Sequence, residues 1–290
     1  MFALAHLSDW HIASRPALSE LIGKRGLGYI NWHRARKKIH RPDVLDATIR
    51  DLKAAAPDHI AVTGDLVNLS LADEYNRARG WLQTLGSPRD VTLVPGNHDI
   101  YVRGVVQAPA AYWADYMRGD DGLDRFPFVR RRGDVALIGL STALPTAPLL
   151  ATGRLGKRQL ARLLEILDQT RGSFRIVLIH HPPLTSRQRY LRRLVDAADL
   201  RGVLADKGAE LLLHGHDHRR AVVWLDGPQK KIPAVGVPSA SARSQHGDEN
   251  AAGYNLFRID GALGKWSCEM IARERDAEGI MREVVRQTLI

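Results

Sequence analysis

Five short apolar runs, each closed by a cluster of residues able to bind metal, limit what this chain can fold into more than any other feature. Residues 2–7, 59–63, 91–94, 174–179 and 210–213 have strand length, and several are rich in Val and Ile. They lead in turn to Ser8-Asp9-Trp10-His11, Gly64-Asp65, Gly96-Asn97-His98-Asp99, His180-His181-Pro182-Pro183 and His214-Gly215-His216-Asp217-His218. Helical periods lie between the runs. Leu45, Ile49, Leu52 and Ala56 recur at steps of three and four, as do Tyr75, Ala78, Leu82 and Leu85, and then Leu160, Leu163, Leu164 and Leu167. Alternation of this kind implies an α/β fold with a largely parallel sheet. In such sheets, sites form just beyond the carboxyl ends of the strands. The five clusters should therefore converge, although they are spread from Asp9 to His218.

The last third reads differently. Residues 221–225, 232–237, 254–259 and 265–271 look like strands joined by Gly, Pro and Asp turns, and are expected to form a second sheet packed on the first. With no repeat, low-complexity tract or long linker, one domain over 1–290 is the expectation. An insertion at 14–41 interrupts the pattern. It mixes Arg15, Lys24, Arg25, Arg34, Arg36, Lys37, Lys38 and Arg41 with Leu18, Leu21, Ile22, Leu27, Tyr29, Ile30 and Trp32. Such a stretch is either a packed insertion with a solvated face or a basic lid over an anionic, lipid-bearing substrate or bilayer. On the lid reading Arg34, Arg36 and Lys37 bind substrate, together with His246 from a loop that follows a late strand.

The donor chemistry is coherent. Asp, Asn and His supply oxygen and nitrogen without thiolate, which suits Mn²⁺, with Fe or Zn²⁺ as alternatives, in place of a closed structural zinc site. Asp9, His11, Asp65, Asn97, His180, His216 and His218 are too many ligands for one ion, so two are expected. Glycines 64, 96 and 215 allow backbone and ligand to crowd one centre. His181 and His214 each neighbour one of those seven residues, and the strand-to-loop geometry could present either one. His6, His33, His40 and His59 read as surface or core, as do Trp10 and Cys268. Ser239, Ser241 and Arg243 lie in the same loop as His246, within reach of the site.

The ordered pattern Asp-x-His, Gly-Asp, Gly-Asn-His-Asp, His and Gly-His-x-His, over residues 9–218, resembles that of the calcineurin-like metallophosphoesterase family. The resemblance implies an α/β metallophosphoesterase-type sandwich of two stacked mixed β-sheets flanked by helices. It implies a first metal on Asp9, His11 and His218, a second on Asn97, His180 and His216, and Asp65 bridging them. His98 would contact phosphate and help protonate the leaving group, and Asp99 would orient His98. A metal-bridging hydroxide would attack phosphorus in line. The implied activity is cleavage of a phosphodiester or pyrophosphate bond, on a nucleotide- or lipid-linked substrate such as UDP-2,3-diacylglucosamine. The familiar soluble enzyme for that compound carries Arg where this chain has His98. Other readings are a nuclease, a cyclic-nucleotide phosphodiesterase, or a non-catalytic metal-binding interaction module.

The formal charge of +10 favours an anionic partner, a phosphoester or an acidic membrane surface, with nothing that singles out nucleic acid. Cys268 is the single cysteine and cannot form an internal disulfide. The first residues lack the pattern of a signal peptide. The expectation is a cytoplasmic protein, with peripheral contact at the inner face of a membrane.

Overall fold

The computed structural model describes the backbone of residues 1–290 and every side chain except that of Ala35. Its strands are, in chain order, β1 (Phe2–Leu7), β2 (His59–Val62), β3 (Val91–Leu93), β4 (Phe128–Arg132), β5 (Val135–Gly139) and β6 (Phe174–Leu178), then β7 (Leu211–His214), β8 (Ala221–Leu225), β9 (Ile232–Gly236), β10 (Gly253–Asp260), β11 (Ser267–Arg275) and β12 (Met281–Thr288). They form two mixed six-stranded sheets, ordered β12-β11-β10-β1-β2-β3 and β4-β5-β6-β7-β9-β8. The expected runs are therefore strands, but β1, β2 and β3 lie in one sheet and β6 and β7 in the other.

The late strands do not make a sheet of their own. Strands β8 and β9 extend the second sheet, whereas β10 to β12 extend the first through antiparallel pairing of β10 with β1. A strand pairs where its edge finds an unfilled ladder, and β1 and β7 each offered one. One apolar core fills the space between the sheets, joining Leu4, Ile60 and Phe257 of the first to Leu137, Ile176 and Val235 of the second. A second core lies beneath helices Lys157–Gln169 and Ala197–Lys207.

Register positions the site. Leu7 pairs with Val62, and Val62 with Leu93, so the parallel strands β1, β2 and β3 end level. Leu178 pairs with Leu213 in the same way across β6 and β7. A bridge between Ser8 and Ser239 joins the loops beyond the two sheets. The insertion forms helix Lys24–Asn31, a π-helical turn Trp32–Arg36 and a helical turn Lys37–Ile39. It is tied down: Arg25 donates to the carbonyls of Leu69 and Ser70 at 3.1 and 2.6 Å, and Lys24 donates to Thr146 Oγ1 at 2.8 Å. Among the described residues, no helix is long and apolar enough to cross a membrane.

Candidate metal centre

The loops beyond β1, β2, β3, β6 and β7 bring their polar side chains into two adjoining groups. In the first, His11 Nε2 lies 3.0 Å from His218 Nε2, and Asp9 Oδ1 lies 3.2 Å from the same His218 nitrogen. In the second, His180 Nε2 lies 3.2 Å from Asn97 Oδ1, 3.2 Å from His216 Nδ1 and 3.3 Å from Asp65 Oδ2. All seven expected ligands are thus brought together and buried.

The loops are built for close approach at a conformational cost. Asp9, His11, Asp65, His216 and His218 all have left-handed φ, between 48° and 70°. None is glycine, so each is strained, a condition found where function requires it. A Cβ on Gly64 would strike the Gly96 backbone, and one on Gly96 would strike the Asp65 carboxylate. Only glycine fits at these two positions.

Two imidazole nitrogens 3.0 Å apart repel unless a proton or a cation lies between them. His180 Nδ1 donates to the Thr63 carbonyl at 2.6 Å, and His218 Nδ1 lies 2.8 Å from Glu249 Oε2. These outer bonds turn both Nε2 atoms toward the cluster, the usual device for orienting a metal-binding histidine. Asp9 Oδ1 and His216 Nε2 are buried without a hydrogen-bond partner. Burial disfavours a proton on His180, but the Asp65 carboxylate outweighs it and pushes the ring up to about 9. At His218 burial is likewise overcome, by Asp9 and Glu249, to about 10. Burial and neighbouring imidazoles hold His11 and His216 well below the usual range. The buried carboxylates therefore draw positive charge to two adjacent places. The residues fit two divalent cations, with oxygen and nitrogen donors at both.

His98 projects beside this centre. Its Nδ1 is 2.6 Å from the Asn68 carbonyl, which can only accept, so Nδ1 carries the proton. Its Nε2 then accepts from Arg36 Nη1 at 3.0 Å. Burial pulls His98 down to about 4, with Arg36 and Lys24 adding to the effect and Asp65 opposing it. Asp99 does not orient His98 as expected. Its carboxylate accepts from the amides of Asp65, Leu66 and Val67 at 2.8, 2.8 and 3.2 Å and from Gly96 at 2.8 Å. It braces the loop carrying Asp65 against the loop carrying Asn97.

A cavity of about 270 Å³ opens over the centre, with Lys24, Arg36 and Arg192 as its cations and Leu27, Leu69, Leu149 and Leu150 on its apolar side. Of the substrate-binding candidates only Arg36 lines it. Arg34, Lys37 and His246 are exposed and stand outside the cavity lining, because the turns that carry them face solvent. Lys24, Arg192 and Tyr101 line the same cavity and Glu249 lies against His218, and no motif marks any of the four. His40, expected at the surface or in the core, is buried against His11 and His218. His181 has both nitrogens occupied, by Thr142 Oγ1 at 2.7 Å and the Ala151 carbonyl at 3.1 Å. Trp10 and Cys268 are core residues.

The family model for calcineurin-like phosphoesterase matches residues 2–220. No curated protein sequence matches the chain. Among solved structures it is similar to a dimetal phosphatase from Danio rerio, at 13% identity and a TM-score of 0.65, covering 99% of this chain and 98% of that one. It is also similar to a purple acid phosphatase from yellow lupin (Lupinus luteus) seeds, at 13% identity and a TM-score of 0.60, covering 99% of this chain and 53% of that one. At such identities the likeness is one of fold.

Proposed function

This chain belongs to the calcineurin-like phosphoesterase family, and we propose that it is a dinuclear-metal phosphohydrolase cleaving a phosphodiester or pyrophosphate bond beside an apolar substituent. The observation that carries the hydrolase reading is the convergence of seven buried donors whose nitrogens and oxygens face one another at 3.0–3.3 Å. Asp9, His11 and His218 would hold one ion, Asn97, His180 and His216 the other, and Asp65 would be shared. Divalent ions bound there, Mn²⁺, Fe or Zn²⁺, lower the pKa of water and neutralise phosphoryl charge.

The chain's own groups do the rest. Arg36, Lys24 and Arg192 line the cavity and bring positive charge to it, with Arg36 held by its bond to His98. His98 cannot give a proton from Nε2 while that atom accepts from Arg36. Its proposed role is therefore to position Arg36, whose remaining N–H groups meet the phosphoryl or leaving oxygen. Asp99 acts further back, holding the Asp65 loop.

Leu27, Leu149 and Leu150 in the cavity lining suit an apolar substituent. Leu18 and Ile22 on the insertion are 89% and 78% exposed, as is Leu149 from another loop at 89%, and Arg34, Lys37 and Lys38 are exposed on the insertion. Apolar side chains among lysines and arginines suit an anionic bilayer. Nucleotide-linked lipids such as UDP-2,3-diacylglucosamine belong to this substrate class, and the cytoplasmic face of a membrane is the proposed location.

The test is a panel of soluble phosphodiesters, pyrophosphates and lipid-linked pyrophosphates given to metal-loaded protein, with vesicle co-sedimentation alongside. Turnover with a preference for the lipid-linked members, and binding to anionic but not neutral vesicles, is expected. No turnover of any diester or pyrophosphate with two ions bound would refute the hydrolase reading. Turnover of soluble members alone, without vesicle binding, would refute the lipid part.

A further inference from the structure

His40 closes the insertion and belongs to none of the five motif blocks. Backbone bonds fix it on both sides: Arg41 N–H donates to the Ser241 carbonyl at 2.9 Å, and Arg243 N–H to the Ile39 carbonyl at 2.8 Å. Its ring is buried, with the centroid 4.5 Å from that of His11 and 5.5 Å from that of His218. One ring nitrogen from each of the three histidines lies within 4.8 Å of the other two.

A chain of hydroxyls decides which His40 nitrogen faces the cluster. Ser239 Oγ is 2.6 Å from the Asp9 carbonyl oxygen, which can only accept, so the Ser239 proton points there. Ser239 Oγ is left to accept, and His40 Nδ1 lies 3.3 Å from it and so donates to it. Ser241 Oγ completes the group, 2.9 Å from His40 Nδ1 and 3.3 Å from Ser239 Oγ. The proton of the neutral ring therefore sits on Nδ1, and the Nε2 lone pair is presented for a cation. The hydroxyl chain does for His40 what Thr63 and Glu249 do for His180 and His218.

We propose that His40 is a further protein ligand of the ion held by Asp9, His11 and His218, an inference that rests on the dinuclear reading above. The first position then has three imidazoles and a carboxylate in addition to the shared Asp65. The second keeps two imidazoles, the Asn97 carbonyl and Asp65. Imidazole suits Zn²⁺ and Fe, whereas carboxylate and carbonyl oxygen suit Mn²⁺. The two positions thus differ in metal preference, and the end of the insertion is fastened to the first.

The experiment is a Co²⁺ titration of the full chain, His40→Ala and Ser241→Ala, read by bound metal and by visible absorption of the ion. Wild type should take two equivalents. His40→Ala should still take two, with one dissociation constant raised about 100-fold or more and an altered spectrum. Ser241→Ala should raise the same constant about tenfold, within the range for partners of a metal ligand. If His40→Ala does not fold, Ser241→Ala decides alone. Two equivalents in wild type with unchanged constants and spectra in the variants would overturn the role of His40 and leave the dinuclear centre standing. Wild type that binds no ion tightly would overturn both.

Discussion

Arg36 offers the sharpest perturbation, because it alone of the basic residues in its turn reaches the cavity. Its guanidinium donates to His98 Nε2 at 3.0 Å and retains further N–H groups for substrate. Arg36→Met keeps much of the volume and removes the charge. A hydrogen bond made by a charged group contributes about 1.5–3 kcal/mol. At 1.36 kcal/mol per tenfold, its loss lowers kcat/KM by about 10- to 150-fold if the bond forms with the phosphoryl group in the transition state. Arg36→Lys should recover little, since an ammonium cannot donate to His98 and phosphate with the geometry of a fork. Arg34→Met and Lys37→Met serve as controls, since both side chains are exposed. The assay is steady-state hydrolysis of a nitrophenyl phosphodiester, with bound metal measured on the same samples. Equal effects at positions 34 and 36, or loss of metal from Arg36→Met, would refute the reasoning.

Other outcomes follow from the same geometry. His98→Ala should lose a similar factor for esters with good and poor leaving groups, because it positions Arg36; a loss that grows with leaving-group pKa would restore the proton-donor role. Burial pulls Lys24 down to about 8, so the lysine is charged below that pH and neutral above it. KM for an anionic substrate should therefore rise as pH passes upward through about 8, and Lys24→Met should flatten that rise. Arg175 and Glu210 form a buried pair at 2.9 and 3.1 Å far from the centre. Arg175→Met should cost about 3–5 kcal/mol in urea unfolding by leaving Glu210 unpaired, and Arg175→Met with Glu210→Leu should recover most of it.

The strands that carry the ligands were legible because they are buried on both faces, and such strands read as continuous apolar runs. β1 has the expected bounds, and β2, β3 and β6 end within a residue of theirs. β4 was not legible. Its Phe128-Val129-Arg130-Arg131-Arg132 looks like a charge run, yet Arg130 is buried, donating to the carbonyls of Pro88, Val91, Asp115 and Arg118 at 2.6–2.7 Å. Nothing local says that a guanidinium will be satisfied by four carbonyls from other segments. β12, Met281-Arg282-Glu283-Val284-Val285-Arg286-Gln287-Thr288, lies at a sheet edge, mostly exposed and without a two-residue period, so no pattern marks it as a strand. The division of the late strands between sheets was hidden because pairing is a property of partners, not of a strand. The site shows the same split. Motifs marked the seven proposed ligands, whereas His40, Glu249 and Arg192 reach the centre only through the fold.

The conformations at the centre also explain why a residue as remote in role as Asp99 belongs to the motif. Left-handed backbone at Asp9, His11 and Asp65 costs of order 1–3 kcal/mol at each residue. Hydrogen bonds between the two loops hold it: Asp9 N–H to the Gly64 carbonyl at 2.9 Å, His11 N–H to that of Asp65 at 3.0 Å, and Ile12 N–H to that of Leu66 at 2.8 Å. These bonds carry the pairing of β1 with β2 past the ends of the strands, through the ligand residues themselves. Asp99 then gathers the next amides of the second loop and that of Gly96, which ties a third loop to the other two. One carboxylate thereby fixes the backbone under Asp9, His11, Asp65 and Asn97, donors to both proposed ions. His98, the residue just before Asp99, is aimed independently by the Asn68 carbonyl and Arg36. Adjacent residues in one motif block therefore serve different ends: Asp99 sets the distance between the two groups of ligands, and His98 connects them to the insertion.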